Sequence, residues 1–314
     1  MKKDTKLLLG LLAVLVLCGA GYLGLRAWNS GAEEREAQQA PVAADLEDVT
    51  ALAWSHGGER LSFEKRDGTW VKTDDPAYPA DQDKLEDIAS ALSPLKAVRA
   101  FSEPDEPSAY GLDAPSYTLT ATAAGGGSLT LLLGDQYEGD YYAMAQGGGT
   151  VYTVASALAG KLDQGILDLI ELPALPGADG ETLTGVELEQ GGTVLSLSKG
   201  EAGWTVDGQP VPEGNAALSG LIAALRSPGF TACRAYGPDA AAVSACGLDD
   251  AARLTVTAGD ESYTLYLGGM DEESGGYCAR LGDGETIYLV DASLAGTVLG
   301  LTRESLTADP AVEG

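Results

Sequence analysis

The chain has 314 residues, room for about two domains at roughly 150 residues each. It carries 47 Asp and Glu against 19 Lys and Arg, a formal net charge of −28 at pH 7. Nucleic acid would be repelled without a local basic stripe, and the sequence has none, so no nucleic-acid partner is expected; the scattered acids describe a solvated surface and also disfavour docking of the body on anionic lipid.

Lys2, Lys3 and Lys6 precede an uncharged apolar run over residues 7–25, long enough to cross a bilayer as one helix. With Arg26 the only base directly after it, the positive-inside rule predicts a cytoplasmic tip and transmembrane anchor over 1–30, with the rest of the chain outside. A cleaved signal peptide would want a shorter run and an A-x-A-like site. A lipid on Cys18 would want a small residue where Leu17 stands. Residues 31–47 read as a polar juxtamembrane spacer.

A first repeat is predicted over 48–171. Val49 to Ser55, Arg60 to Arg66 and Thr69 to Lys72 alternate as strands, and Asp67-Gly68 between the last two is a tight-hairpin signal. Leu85, Ile88, Ala89 and Leu92 then form one apolar helical stripe, with Asp81 or Asp83 as cap and Pro94 as limit. A strand through Val98 and Phe101 leads through a Pro-rich stretch to Tyr110-Gly111-Leu112-Asp113. Four more strands follow, over 117–123, 128–133, 140–146 and 150–154, and then a helix from near Ser156.

After a linker over 172–182, residues 183–308 repeat this plan, with a tail over 309–314. Trp204 matches Trp70, and the stripe Leu218, Leu221, Ile222, Leu225 matches the first helix. Arg234-Ala235-Tyr236 matches Arg99-Ala100-Phe101, Cys246-Gly247-Leu248-Asp249 matches the Gly-Leu-Asp element, and Leu267-Gly268 matches Leu133-Gly134. Ile287-Tyr288-Leu289-Val290 matches Val151-Tyr152-Thr153-Val154, and a helix begins near Ser293. The offsets stay between 133 and 137 residues, too long for a solenoid unit and suited to two tandem copies of one domain. The predicted fold class is α+β: two tandem homologous domains, each a largely antiparallel sheet with packed helices, after an N-terminal transmembrane helix.

Signatures of catalysis and of metal or cofactor binding are weak. His56 is the sole histidine and sits beside a Gly-Gly turn, a poor place for a Ser-His-Asp arrangement. Ser93 to Lys96 fits S-x-x-K, yet Pro94 would break the helix that motif starts. Asp81-Gln82-Asp83 and Asp271-Glu272-Glu273 lack the Gly-centred loop of a calcium site. C-x-x-C spacing is absent; Cys233 could bridge to Cys246, or Cys233, Cys246 and Cys278 could be buried thiols. No catalytic, cofactor or metal residue is assigned. Tyrosines gather on the late strands of both copies, where they either pair across the sheet or present an aromatic face. Tyr141, Tyr142, Tyr277 and Tyr288 are the candidate partner-binding residues.

The basic start with one membrane helix, Tyr110-Gly111-Leu112-Asp113 followed by Pro115, Leu133-Gly134, Tyr141-Tyr142 and the Val151 to Val154 strand entering a Ser-started helix together resemble a bacterial family, domain of unknown function 4340. The second copy departs from it at Cys246 and at Asp250-Ala251. The resemblance implies an extracytoplasmic companion of ABC-type transporters of the gliding-motility accessory type, with their permease subunits as partners and no catalytic residues. The expected function is thus a membrane-anchored, non-enzymatic accessory or binding protein. A cell-envelope hydrolase or an envelope-polymer binding module is the alternative.

Overall fold

The computed structural model describes residues 40–56 and 58–309, without the His56 side chain. The apolar run 7–25 and residues 310–314 lie outside the described residues. Among those described, no helix is long and apolar enough to cross a membrane. The described residues form two compact units: 40–77 with 82–163, and 78–81 with 164–309. The division thus falls at 163 where the sequence suggests 171.

The first unit runs β1 (Val42–Ala44), β2 (Val49–His56), β3 (Glu59–Arg66), β4 (Thr69–Lys72) and helix α1 (Gln82–Ser90). It continues with β5 (Leu95–Lys96), β6 (Arg99–Phe101), β7 (Tyr117–Ala123), β8 (Ser128–Tyr137), β9 (Asp140–Ala145), β10 (Val151–Ala155) and α2 (Ser156–Leu162). Eight strands form one antiparallel sheet in the order β4-β3-β2-β7-β8-β9-β10-β6, while β1 and β5 pair separately. Alternation along the strands sends Leu52, Trp54, Leu61, Phe63, Leu119 and Leu131 into the core. The stripe Leu85, Ile88, Ala89 and Leu92 is fully buried as well. Asp67 and Gly68 both have positive φ, 52° and 83°, which the tight turn between β3 and β4 requires.

Strand β1 corrects the predicted spacer 31–47. Val42–Ala44 pairs with Leu95–Lys96 and buries Ala43 and Ala44, so folded structure begins inside that segment. Three residues, two of them alanine, are too few to show alternation.

The second unit runs β11 (Leu183–Gln190), β12 (Thr193–Gly200), β13 (Gly203–Val206), β14 (Gln209–Pro210), α3 (Ala216–Leu225) and β15 (Phe230–Ala235). Then come α4 (Ala240–Ala245), β16 (Ala252–Ala258), β17 (Glu261–Met270), β18 (Tyr277–Leu281), β19 (Ile287–Val290), α5 (Ala292–Leu299) and α6 (Arg303–Thr307). Its nine-stranded sheet has the order β14-β13-β12-β11-β16-β17-β18-β19-β15. With β14 set aside, corresponding strands stand in the same order in both sheets. The architecture is therefore β-rich, two large antiparallel sheets with few helices. Of the second helical stripe only Leu221 and Leu225 are fully buried. The expected linker is packed into this unit, with Ala178 0% exposed.

The two sheets finish their first edges differently. In the first unit the Gln82 side chain accepts from the Trp70 amide at 2.7 Å and donates to the Trp70 carbonyl at 3.0 Å, standing in for a strand. In the second, the Asp207-Gly208 turn returns the chain as β14, and Val211 N–H donates to the Trp204 carbonyl at 2.8 Å.

Hydrogen bonds hold several carboxyls below their ordinary values. A bond from Lys72 does so for Asp74, bonds from Lys65 and Trp70 for Glu86, backbone bonds for Asp179 and Asp207, and a bond from Arg234 for Asp271. Because each folded value lies below the unfolded one, the unfolded chain binds more protons once the pH nears the ordinary values of 3.8 to 4.5. Their stabilisation is complete above that window and is lost as pH falls through the folded values. Urea midpoints measured from pH 6 down to pH 3 should fall most steeply below about pH 4.5.

Candidate partner-binding surface

The Gly-Leu-Asp and Leu-Gly motifs meet in space and fix the loop that carries Tyr110. In the first unit a 3-10 turn, Pro107–Tyr110, ends on Gly111 at φ 67°, and Leu112 N–H donates to the Pro107 carbonyl. In the second, α4 ends through Cys246 on Gly247 at φ 63°. Each turn lies directly on a bulged strand. A Cβ on Gly134 would sit 2.1 Å from the Tyr110 carbonyl oxygen, and one on Gly268 would sit 2.2 Å from that of Cys246. Both glycines fall at a register shift, in β8 and in β17. The motifs are thus a backbone-on-backbone joint, which explains glycine at both positions.

On that joint the first unit builds an aromatic cluster. The Tyr110 and Tyr142 rings are 4.9 Å apart, Phe101 lies 6.0 Å from Tyr110 and 6.1 Å from Tyr142, and Tyr137 stacks on Tyr142 at 6.0 Å. Tyr137 is 46% exposed, while Phe101, Tyr110 and Tyr142 are half-buried. The Tyr110 hydroxyl accepts from the Asp105 amide at 3.1 Å. Glu103, Asp105, Asp135, Glu138 and Asp140 neighbour the cluster residues in sequence, and Arg99 faces Glu138 at 3.8 Å.

The four tyrosines singled out from sequence do not share one surface. Tyr142 pairs with Thr153 and Tyr141 with Val154, so the pleat sends the two neighbours to opposite faces. Tyr141 lies edge-on to Tyr117 at 6.1 Å, and the Tyr117 hydroxyl donates to Asp163 at 3.1 Å. Tyr277 pairs with Val290 and is half-buried. Tyr288 corrects the expectation of an exposed face: it is 7% exposed and packs on Phe230 at 4.5 Å. Phe101, Tyr110 and Tyr137, which complete the cluster, are not among the candidates; the first two are distant in sequence from the tyrosine strands.

In the second unit the positions corresponding to Phe101, Tyr110 and Tyr142 are not aromatic, and Tyr266 packs against this place instead. By register Cys278 corresponds to Tyr142 and Ala235, opposite Ile287, to Phe101, while the glycine joint matches Cys246 to Tyr110. A register shift in β15 moves Tyr236 off the match with Phe101, and its ring meets Tyr78 edge-on at 5.4 Å. This unit also contains a cavity of about 510 Å³ between Leu188 and Leu195 on the sheet and Leu299 at the end of α5, Leu301, and Arg303 at the start of α6. Leu188 occupies the register position of Trp54, whose ring stacks on Phe63 at 5.8 Å.

The side chain of His56 lies outside the described residues. Ser93 is in the turn after α1 and Lys96 is on β5, so the S-x-x-K residues do not share a helix. Gln82 of the first acidic triplet is engaged with Trp70, and Asp271 of the second accepts from Arg234 at 2.8 Å and from the Ser274 hydroxyl at 2.8 Å. Among the described residues no group of three or more His, Cys, Asp and Glu side chains is placed to hold a metal ion.

Two antiparallel-sheet units with one strand order and one glycine joint in each define a β-rich, two-sheet class of protein. Residues 38–115 and 70–250 match the family described as Domain of unknown function (DUF4340), and the chain belongs to that family. No curated protein and no solved structure matches the chain.

Proposed function

We propose that this chain is a membrane-anchored extracytoplasmic accessory or binding protein, non-enzymatic, built from two homologous domains in tandem. It works beside an ABC-type transporter of the gliding-motility accessory type and contacts the permease subunits. The observation that carries the reading is the order of parts. Lys2, Lys3 and Lys6 precede the uncharged run 7–25, and two units of the same strand order follow. Homology of the units is supported by the glycine joint, which depends on matching residues in both. The transporter association rests on what members of the family look like. The surface of the first unit centred on Tyr137 and Tyr142 supplies a contact: aromatic rings with several acidic residues beside them in sequence suit a partner patch carrying Arg or Lys.

The test is made in intact cells and in detergent extracts. Protease added outside should digest the chain beyond residue 30 while the N-terminal segment is retained. A mature N-terminus beyond residue 18, or a lipid on Cys18, would overturn the anchor. Pull-down of the solubilised complex should recover permease subunits, and Tyr137→Glu should reduce that recovery about tenfold with the circular dichroism spectrum unchanged, a loss in the range of the minority of interface residues that cost more than about 1 kcal/mol. Recovery that is unaffected by Tyr137→Glu would remove this surface from the contact.

A further inference from the structure

We infer that Cys246 and Cys278 form a disulfide-closing pair, a modification site that oxidation turns into a cross-link between the end of α4 and β18. Cys233, Cys246 and Cys278 are all free and buried in the second unit. Cys246 and Cys278 belong to one apolar cluster with Leu248, Ile287 and Leu289, and the Cys278 thiol interacts directly with that of Cys246. Cys233 is excluded by the pleat. Cys278 pairs with Leu289 and Cys233 with Tyr288, and neighbouring residues on β19 face opposite sides of the sheet. A Cys233–Cys246 bridge, open from the sequence, is therefore not the one the fold prepares.

The first unit gives an independent measure of the same juxtaposition. Tyr110 and Tyr142 occupy the corresponding positions, and their rings touch at 4.9 Å. The duplicated fold thus brings these two places together whatever side chains they hold. One copy joins them through rings, the other through thiols.

The reaction is thiol–disulfide exchange with an external disulfide, either small or carried on a protein. Cys246, 7% exposed against 2% for Cys278, is the outer thiol and attacks first. Its sulfur bonds to one sulfur of the oxidant, and the other leaves as a thiolate. Cys278 then attacks the Cys246 sulfur and expels the second thiolate. The two cysteine protons end on the two released thiols, so two thiols are oxidised and one external disulfide is reduced. Burial, and then the hydrogen bond with Cys246, push the Cys278 thiol up to about 12, which keeps its thiolate scarce and closure slow in the folded protein.

Purified full-length protein would be treated with oxidised glutathione, once folded and once during refolding from urea, then alkylated under denaturing conditions and digested. The refolding arm removes burial as an obstacle. The expected product is a Cys246–Cys278 linked peptide with Cys233 alkylated. The thermal midpoint should rise by about 5–10 °C and return on reduction. Cys246→Ser and Cys278→Ser should each abolish both effects, while Cys233→Ser should leave them. A Cys233-linked peptide, glutathione adducts alone, or full alkylation in both arms would overturn the assignment. Only formation of the bridge in cells rests on the extracytoplasmic reading. Acid-trapped cells that keep the thiols free, beside purified protein that closes them, would count against that location and not against the pair.

Discussion

Gly134→Ala and Gly268→Ala are each expected to destabilise their own unit by about 3 kcal/mol, at the top of the usual range for overpacking. The added methyl would meet the carbonyl oxygen of Tyr110 or of Cys246 at 2.1 or 2.2 Å. Neither oxygen belongs to a side chain that could rotate away. Each precedes a glycine held at positive φ, so retreat would undo the turn as well. Gly160→Ala is the control, because nothing lies within 4 Å of its Cβ direction and α2 would gain a better helix former. Urea titrations of the three variants should show large midpoint losses for the first two and none for the third. A loss under 1 kcal/mol at Gly134 would mean that the loop carrying Tyr110 is not locked to β8.

Leu85→Ala should cost about 2–5 kcal/mol, the range for a fully buried leucine whose space cannot collapse. Leu85 is 0% exposed and projects from a nine-residue helix onto the sheet, alongside Ile88 and Leu92. Leu221→Ala, also 0% exposed, should behave alike in the second unit. Leu218→Ala should cost distinctly less, since Leu218 is only half-buried although sequence spacing aligns it with Leu85. Equal losses at Leu218 and Leu221 would show that the two helices seat alike and that the difference between the units is smaller than their burial suggests.

Much of the sheet was legible because strand alternation and turn chemistry are local. Thr69–Lys72 and Tyr117–Ala123 coincide with their predicted bounds, and the Asp67-Gly68 turn is where its dipeptide suggests. Elements without such signals were missed. Strand β1 is three residues long, α4 is an alanine-rich segment where the other copy has a proline-led 3-10 turn, and α6 has no counterpart before it. The tyrosines were legible as a group but not as a surface. Residue type shows that Tyr141 and Tyr142 are neighbours, whereas strand register decides that one faces Tyr117 and the other Tyr110. Cys246 and Cys278 lie far apart in the chain, and their proximity needs both the glycine joint and the β18–β19 pairing.

The closed first edges of the sheets bear on how another chain can join this protein. A strand with bare amides and carbonyls invites backbone pairing from any passing polypeptide, the route to unintended fibres and to recruitment by strand addition. At Trp70 both groups are taken by a glutamine side chain, and at Trp204 the carbonyl is taken by the chain's own return. Neither edge offers a template there. Copies of the chain at high concentration gain from this, since crowded neighbours would otherwise zip together by their borders. Recognition at these ends is left to side chains, which can discriminate between partners where a naked backbone cannot.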